Sequence, residues 1–164
     1  PIHDSRYRTI FVPIFENRAF QSGPLRGLEY SLTEEVVREI ERTTPWKVVH
    51  DRQRADIELL GAIVATPKHL INRNQLNEIR EGEMIITAEL VWRDVRTGEV
   101  LSRPGPGQGG PASPDPSPQA PAPPVIAQAR GRFLPELGES TTTALQRAGK
   151  ALAVQIVSLM EPAW

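Results

Sequence analysis

The sequence predicts an α+β fold: a two-layer α/β sandwich, two helices packed on one face of a mixed sheet of four or more strands, in the order β-α-β-β-β-α. Three observations predict it. Apolar residues recur with a period of two over 9–15, 56–66 and 83–94. They recur with a spacing of three and four over 25–40 and 145–159. One stretch, 104–124, follows neither rule because it is dominated by proline.

Residues 9–15 read as the first strand, with Ile10, Val12 and Ile14 on one face and Phe11, Pro13 and Phe15 on the other. Apolar residues on both faces imply burial on both. Pro13 has no amide hydrogen, so it belongs at a sheet edge, a bulge or the end of regular pairing. The run stops at the polar corner Glu16-Asn17-Arg18. Ser22-Gly23-Pro24 then predicts a helix start. Leu25, Leu28, Leu32, Val36 and Ile40 share one helical face, Glu29, Thr33, Arg38 and Glu41 point elsewhere, and Pro45 ends the helix.

Residues 46–50 predict a short strand. A longer one over 56–66 carries Ile57, Leu59, Gly61 and Ile63 on one side and Leu60, Ala62 and Val64 on the other. The polar segment 67–82, with Asn72, Asn74, Gln75 and Asn77, predicts a loop or a long flexible hairpin tip. Over 83–94, Met84, Ile86, Ala88, Leu90 and Trp92 alternate with Thr87, Glu89 and Arg93, which predicts a strand. Residues 94–98 predict a turn and 99–102 a short returning strand.

Nine of the twenty-one residues over 104–124 are proline, so the segment has little to bury against the entropy of ordering it. It is expected to be a disordered or polyproline II insertion within a single domain spanning 1–164. Over 125–134, Val125, Ala127, Ala129 and Gly131 alternate with Ile126, Gln128, Arg130 and Arg132 and resume the sheet. Glu139-Ser140-Thr141 caps a last helix lined by Leu145, Ala148, Leu152, Ile156 and Leu159. Each large apolar side chain fully buried contributes roughly 1.5–3 kcal/mol, more than helix propensity supplies, so packing decides both helices.

Nineteen basic residues against twenty acidic ones leave no global field to draw the chain onto nucleic acid or an anionic bilayer. With no cysteine, these residues hold no disulfide, thiolate metal site or cysteine nucleophile. No apolar run reaches the roughly 18 to 20 residues that span a bilayer.

Little in the sequence argues for catalysis. Gly105-Pro106-Gly107-Gln108-Gly109-Gly110 matches the dinucleotide-binding glycine pattern only formally, because it lacks a strand before it and a helix after it. Ser140 does not complete a nucleophile elbow. His3, His50 and His69 have no metal-ligand spacing. Glu34 and Arg38 have the ordinary spacing of a solvated helical pair. No catalytic, cofactor-binding or metal residue is expected, and no cofactor. The candidate sites are contacts: Pro13, Glu16, Asn17 and Arg18 for a protein partner, and Lys68, Arg73 and Arg80, near His69, for the phosphates of a lipid head group.

The stretch Phe11-Val12-Pro13-Ile14-Phe15-Glu16-Asn17-Arg18, followed by Leu28-Glu29-Tyr30-Ser31-Leu32-Thr33-Glu34-Glu35-Val36-Val37, resembles the lipopolysaccharide-assembly lipoprotein family, LptE. The resemblance continues through Asp51-Arg52 and Ala55-Asp56 into the next long strand. It implies two helices on one face of a four-stranded sheet and a non-catalytic role. It further implies binding to the LptD β-barrel translocon and help with lipopolysaccharide transport to the outer-membrane surface. A lipid on a cysteine upstream of Pro1 would then tether the chain to the periplasmic face of the outer membrane, its only membrane contact. The Pro-rich insertion departs from the family pattern. A rival reading shares the fold: a periplasmic lipoprotein that regulates a cell-wall synthase or belongs to a curli-type secretion system. A third, a small hydrolase or transferase, would need converging titratable groups in one pocket.

Overall fold

The structure, a computed structural model, describes residues 7–19, 27–65, 68–73, 79–102 and 124–160. Seven strands form one mixed sheet: β1 (Thr9–Phe11), β2 (Glu16–Asn17), β3 (Lys47–Val49), β4 (Ile57–Ala65), β5 (Lys68–Arg73), β6 (Ile79–Asp94) and β7 (Val125–Phe133). β1 runs parallel to β3 on one side and β4 on the other, and β2 runs parallel to β4 further along. β4 and β5 both pair antiparallel with β6, and β7 pairs antiparallel with the remaining edge of β6. β2 therefore prolongs β1, β5 prolongs β4, and the sheet ends at β3 and β7.

Register assigns the faces. Leu59 opposite Trp92, Ile63 opposite Ala88, and Ala127 opposite the same Ala88 point to one side, where all five are buried. Two helices cover that side, as expected. α1 (Leu28–Thr43) buries Leu28, Leu32, Val36 and Ile40; α2 (Thr141–Met160) buries Leu145, Ala148, Leu152 and Ile156, with Leu159 partly buried. α2 lies so close to β7 that a Cβ on Gly131 would stand 1.9 Å from the Ala144 carbonyl oxygen. Ala127 and Ala129 continue the small side chains along β7, and Ala148 extends the seam on α2.

The helix ends follow local chemistry. The expected start at Ser22-Gly23-Pro24, with Leu25, lies outside the described residues. The described helix α1 begins after Gly27, whose φ of 88° is left-handed and suits glycine. It closes where Thr44 N–H donates to Ile40 C=O, one residue before Pro45. Ser140 opens α2 where expected: its C=O accepts from Ala144 N–H, and its own N–H donates to Thr143 Oγ1 at 3.4 Å.

Three expectations are corrected. Ile14 does not share a face with Ile10 and Val12; it is 55% exposed, and Phe15 is buried instead. From Phe11 opposite Glu58 to Glu16 opposite Ala62 the chain takes five steps where β4 takes four, and the extra residue, beside Pro13, inverts the alternation. Within the segment expected as a loop or hairpin tip over 67–82, the described residues are strand: Lys68–Arg73 pairs with 79–84, because backbone hydrogen bonds form a ladder whatever the polarity of the side chains. Residues 99–102 make only an isolated bridge, Val100 to Arg93, with Leu101 and Ser102 N–H both donating to Trp92 C=O. The insertion expected over 104–124 lies outside the described residues except for Pro124.

Candidate functional site

Among the described residues no helix lies over the second face of the sheet. Its floor is set by period-two alternation: Leu60 opposite Val91 and Ala62 opposite Glu89. The floor opens into a cleft of about 650 Å³, lined also by Pro13, Ile14, Glu16, Arg18, Arg93, Val100 and Pro124. The corner after β1 supplies one wall. The extra residue there turns Ile14 outward, onto the cleft, while Phe15 turns inward over Gly61.

Ion pairs close both ends of the floor. At one end Arg18 reaches across Ala62, donating to Glu16 at 3.3 Å and to Glu89 at 3.2 Å. The Glu16 hydrogen bond first, then its charge and that of Glu89, hold the Arg18 guanidinium above its ordinary pKa. At the other end Glu58 is 2% exposed and receives Arg52 Nε at 2.9 Å, with Arg93 on its other oxygen. Burial alone would push the Glu58 carboxyl up. The hydrogen bonds and charges of Arg52 and Arg93 overcome it and hold the group below the usual carboxylate range. A general acid needs the opposite shift, so the paired charges suit docking better than proton transfer.

Of the four residues expected to meet a partner, the structure brings Pro13, Glu16 and Arg18 to this cleft. Asn17 points to the opposite side, where its Nδ2 donates to Glu29 Oε2 of α1 at 3.1 Å. The three head-group candidates share one hairpin by backbone position, Lys68 and Arg73 on β5 and Arg80 on β6; their side chains lie outside the description. Sequence reasoning missed Ile14, Leu60, Val91, Val100 and Pro124 as surface features. The signal was present for Leu60 and Val91: apolar residues at the positions that alternate away from the helix-facing set. Among the described residues no group of three or more His, Cys, Asp or Glu could hold a metal ion, and no helix is long and apolar enough to cross a membrane.

The fold and this face define an α/β sandwich whose sheet, among the described residues, is covered by helices on one side. The family model for lipopolysaccharide assembly, LptE, matches residues 7–160, and the chain belongs to that family. Solved structures agree on the fold. A hypothetical protein from Chlamydia trachomatis superposes with a TM-score of 0.56 at 8% identity, covering 94% of this chain and 98% of that one. Lipoprotein B from Nitrosomonas europaea gives 0.51 at 14% identity, covering 99% and 89%. The PelC dodecamer from Paraburkholderia phytofirmans gives 0.50 at 14% identity, covering 95% and 90%. Among curated proteins none matches the sequence significantly.

Proposed function

We propose that this chain is a non-catalytic assembly lipoprotein that docks on an LptD-type outer-membrane β-barrel through its open sheet face and assists lipopolysaccharide transport to the surface. It works from the periplasmic face of the outer membrane, anchored by lipid on a cysteine upstream of Pro1. Family membership supports the process, and one observation carries the docking surface: the cleft has an apolar floor, an exposed Ile14, and charged ends already satisfied by pairing. Such a face can bury apolar area without stranding a charge. The β5–β6 hairpin, with Lys68, Arg73 and Arg80, is the proposed contact for lipopolysaccharide phosphates.

Co-purification of the anchored, full-length protein from detergent-solubilised envelopes tests this reading. A large outer-membrane β-barrel protein is expected to be retained by the parent and lost with Ile14→Asp. Capture of a cell-wall synthase without a barrel would overturn the reading, as would retention of the barrel by a folded Ile14→Asp variant.

A further inference from the structure

The outer edge of β7 already has hydrogen-bond partners. Gln128 N–H donates to Gln155 Oε1 of α2 at 3.1 Å, and Arg132 C=O accepts from Arg147 Nη1 of the same helix at 2.8 Å. In an antiparallel ladder alternate residues turn both backbone groups away from the neighbouring strand, so those of Ile126, Gln128, Arg130 and Arg132 face outward from β6. Leu134 N–H, the next of that parity, donates to Glu139 Oε2 at 2.6 Å, and Arg147 holds Glu139 through bonds of 2.7 and 3.1 Å. The Gln128 N–H, the Arg132 C=O and the Leu134 N–H of the outward row therefore pair with side chains from α2 and the turn leading into it.

The spacing of the two elements explains the match. Arg147 and Gln155 are eight residues apart, about 12 Å along a helix. Arg132 and Gln128 are four apart, about 13 Å along a strand. The Gly131–Ala144 contact holds the helix near enough for both side chains to reach over the edge.

We propose that Arg147 and Gln155 are an edge guard, occupying the Arg132 C=O and the Gln128 N–H in the outward row of β7 and so preventing a second copy of this chain from adding its own β7 to the sheet. A nine-residue edge strand is otherwise a template for strand pairing. In a two-fold antiparallel pairing centred on Arg130, that arginine would also face its own copy, which adds like-charge repulsion. The guard is independent of the open-face docking surface, since it lies on the opposite border of β6.

Sedimentation velocity of the full chain over a concentration series tests the proposal. The parent is expected to stay monomeric, and the Arg147→Ala/Gln155→Ala double variant, with native circular dichroism, to dimerise as concentration rises. Adding Arg130→Pro is expected to restore the monomer, because the proline removes an outward N–H without breaking a bond to β6. Amide exchange gives a second readout that does not need the double variant to fold. Gln155→Ala alone is expected to speed exchange at Gln128 about tenfold, the loss of one hydrogen bond, and to leave Ala127 unchanged. A folded double variant that stays monomeric, a dimer indifferent to Arg130→Pro, a parent that dimerises through β7, or unchanged exchange at Gln128 would overturn it.

Discussion

The Phe15 ring lies against Gly61, so close that a Cβ on the glycine would stand 2.6 Å from two of the ring carbons. The contact exists because the extra residue between β1 and β2 sends Phe15 inward, where it is 1% exposed, onto a strand position with no side chain. Gly61→Ala is therefore expected to destabilise the fold by about 1–3 kcal/mol through overpacking, read as a lower urea midpoint. Gly61→Ala combined with Phe15→Leu is expected to recover part of the loss. Gly131→Ala is expected to be worse than Gly61→Ala, since its obstacle is the helix backbone at 1.9 Å rather than a side chain.

Thr33 joins the same corner to α1. Its hydroxyl accepts from Phe15 N–H at 2.9 Å and donates to Glu29 C=O at 2.6 Å, and the residue is 5% exposed. Thr33→Val keeps the shape but leaves the buried Phe15 N–H without its acceptor, a loss of about 1–3 kcal/mol. Thr33→Ser keeps the hydroxyl and is expected to fall well short of that loss. Thermal unfolding of the two variants beside the parent measures the difference.

The layers were legible in the sequence because periodicity reports burial directly. Leu59, Gly61 and Ile63 against Leu60 and Ala62, and Met84 through Trp92, fall on the faces their alternation assigns. Helix α1 was legible for the same reason through Leu28, Leu32, Val36 and Ile40. What periodicity cannot see is an added residue: Pro13 signalled an irregularity, yet nothing local said which residue after it would turn inward. Strand β5 was hidden because its polar residues carry no burial pattern, and its pairing with β6 is a property of the partner strand. The open face was half legible. Glu16 and Arg18 stood out as a polar corner, but Arg18's reach to Glu89, seventy-one positions away, is a matter of tertiary register.

Acid should loosen the molecule through three carboxyls. Arg52 and Arg93 hold Glu58 low against the upward push of burial. Asp94 is held low, again against burial, by the backbone N–H groups of Thr97 and Arg96 and the Tyr7 hydroxyl. The Arg147 hydrogen bond, then the Leu134 N–H, hold Glu139 low. A carboxyl depressed in the folded state contributes stability that is fully present above its ordinary value, 4.5 for Glu58, and is lost as pH falls through the lower folded value. The urea midpoint is expected to be flat above about pH 5 and to drop below it. Glu58→Gln is expected to cost about 1–2 kcal/mol of stability at neutral pH, a figure discounted because both arginines are partly solvated, to be read as a lower urea midpoint, and to flatten the acid limb. An acid limb identical to that of the parent would show that Glu58 is not one of the groups responsible.

Asn17 and Arg18 are neighbours that serve opposite faces of the sheet, and their variants separate folding from docking. Asn17 bonds Glu29 beneath the helices, so Asn17→Ala is expected to cost about 0.5–1.5 kcal/mol of stability while leaving capture of the barrel intact in the folded fraction. Arg18 is half exposed and bridges Glu16 and Glu89 over the cleft floor. Arg18→Glu places three acidic groups at one end of that floor, which repel one another and would lose hydration, unpaired, beneath any apolar surface brought against them. Its urea midpoint is expected to stay near the parent's, because exposed pairs contribute little, while co-purification with the barrel falls sharply. Equal loss of capture in both variants, after correction for the folded fraction, would move the docking surface away from the open face. Loss only in Arg18→Glu, with a parent-like midpoint, would locate it there, because the substitution changes the charge at one end of the cleft and leaves the core untouched.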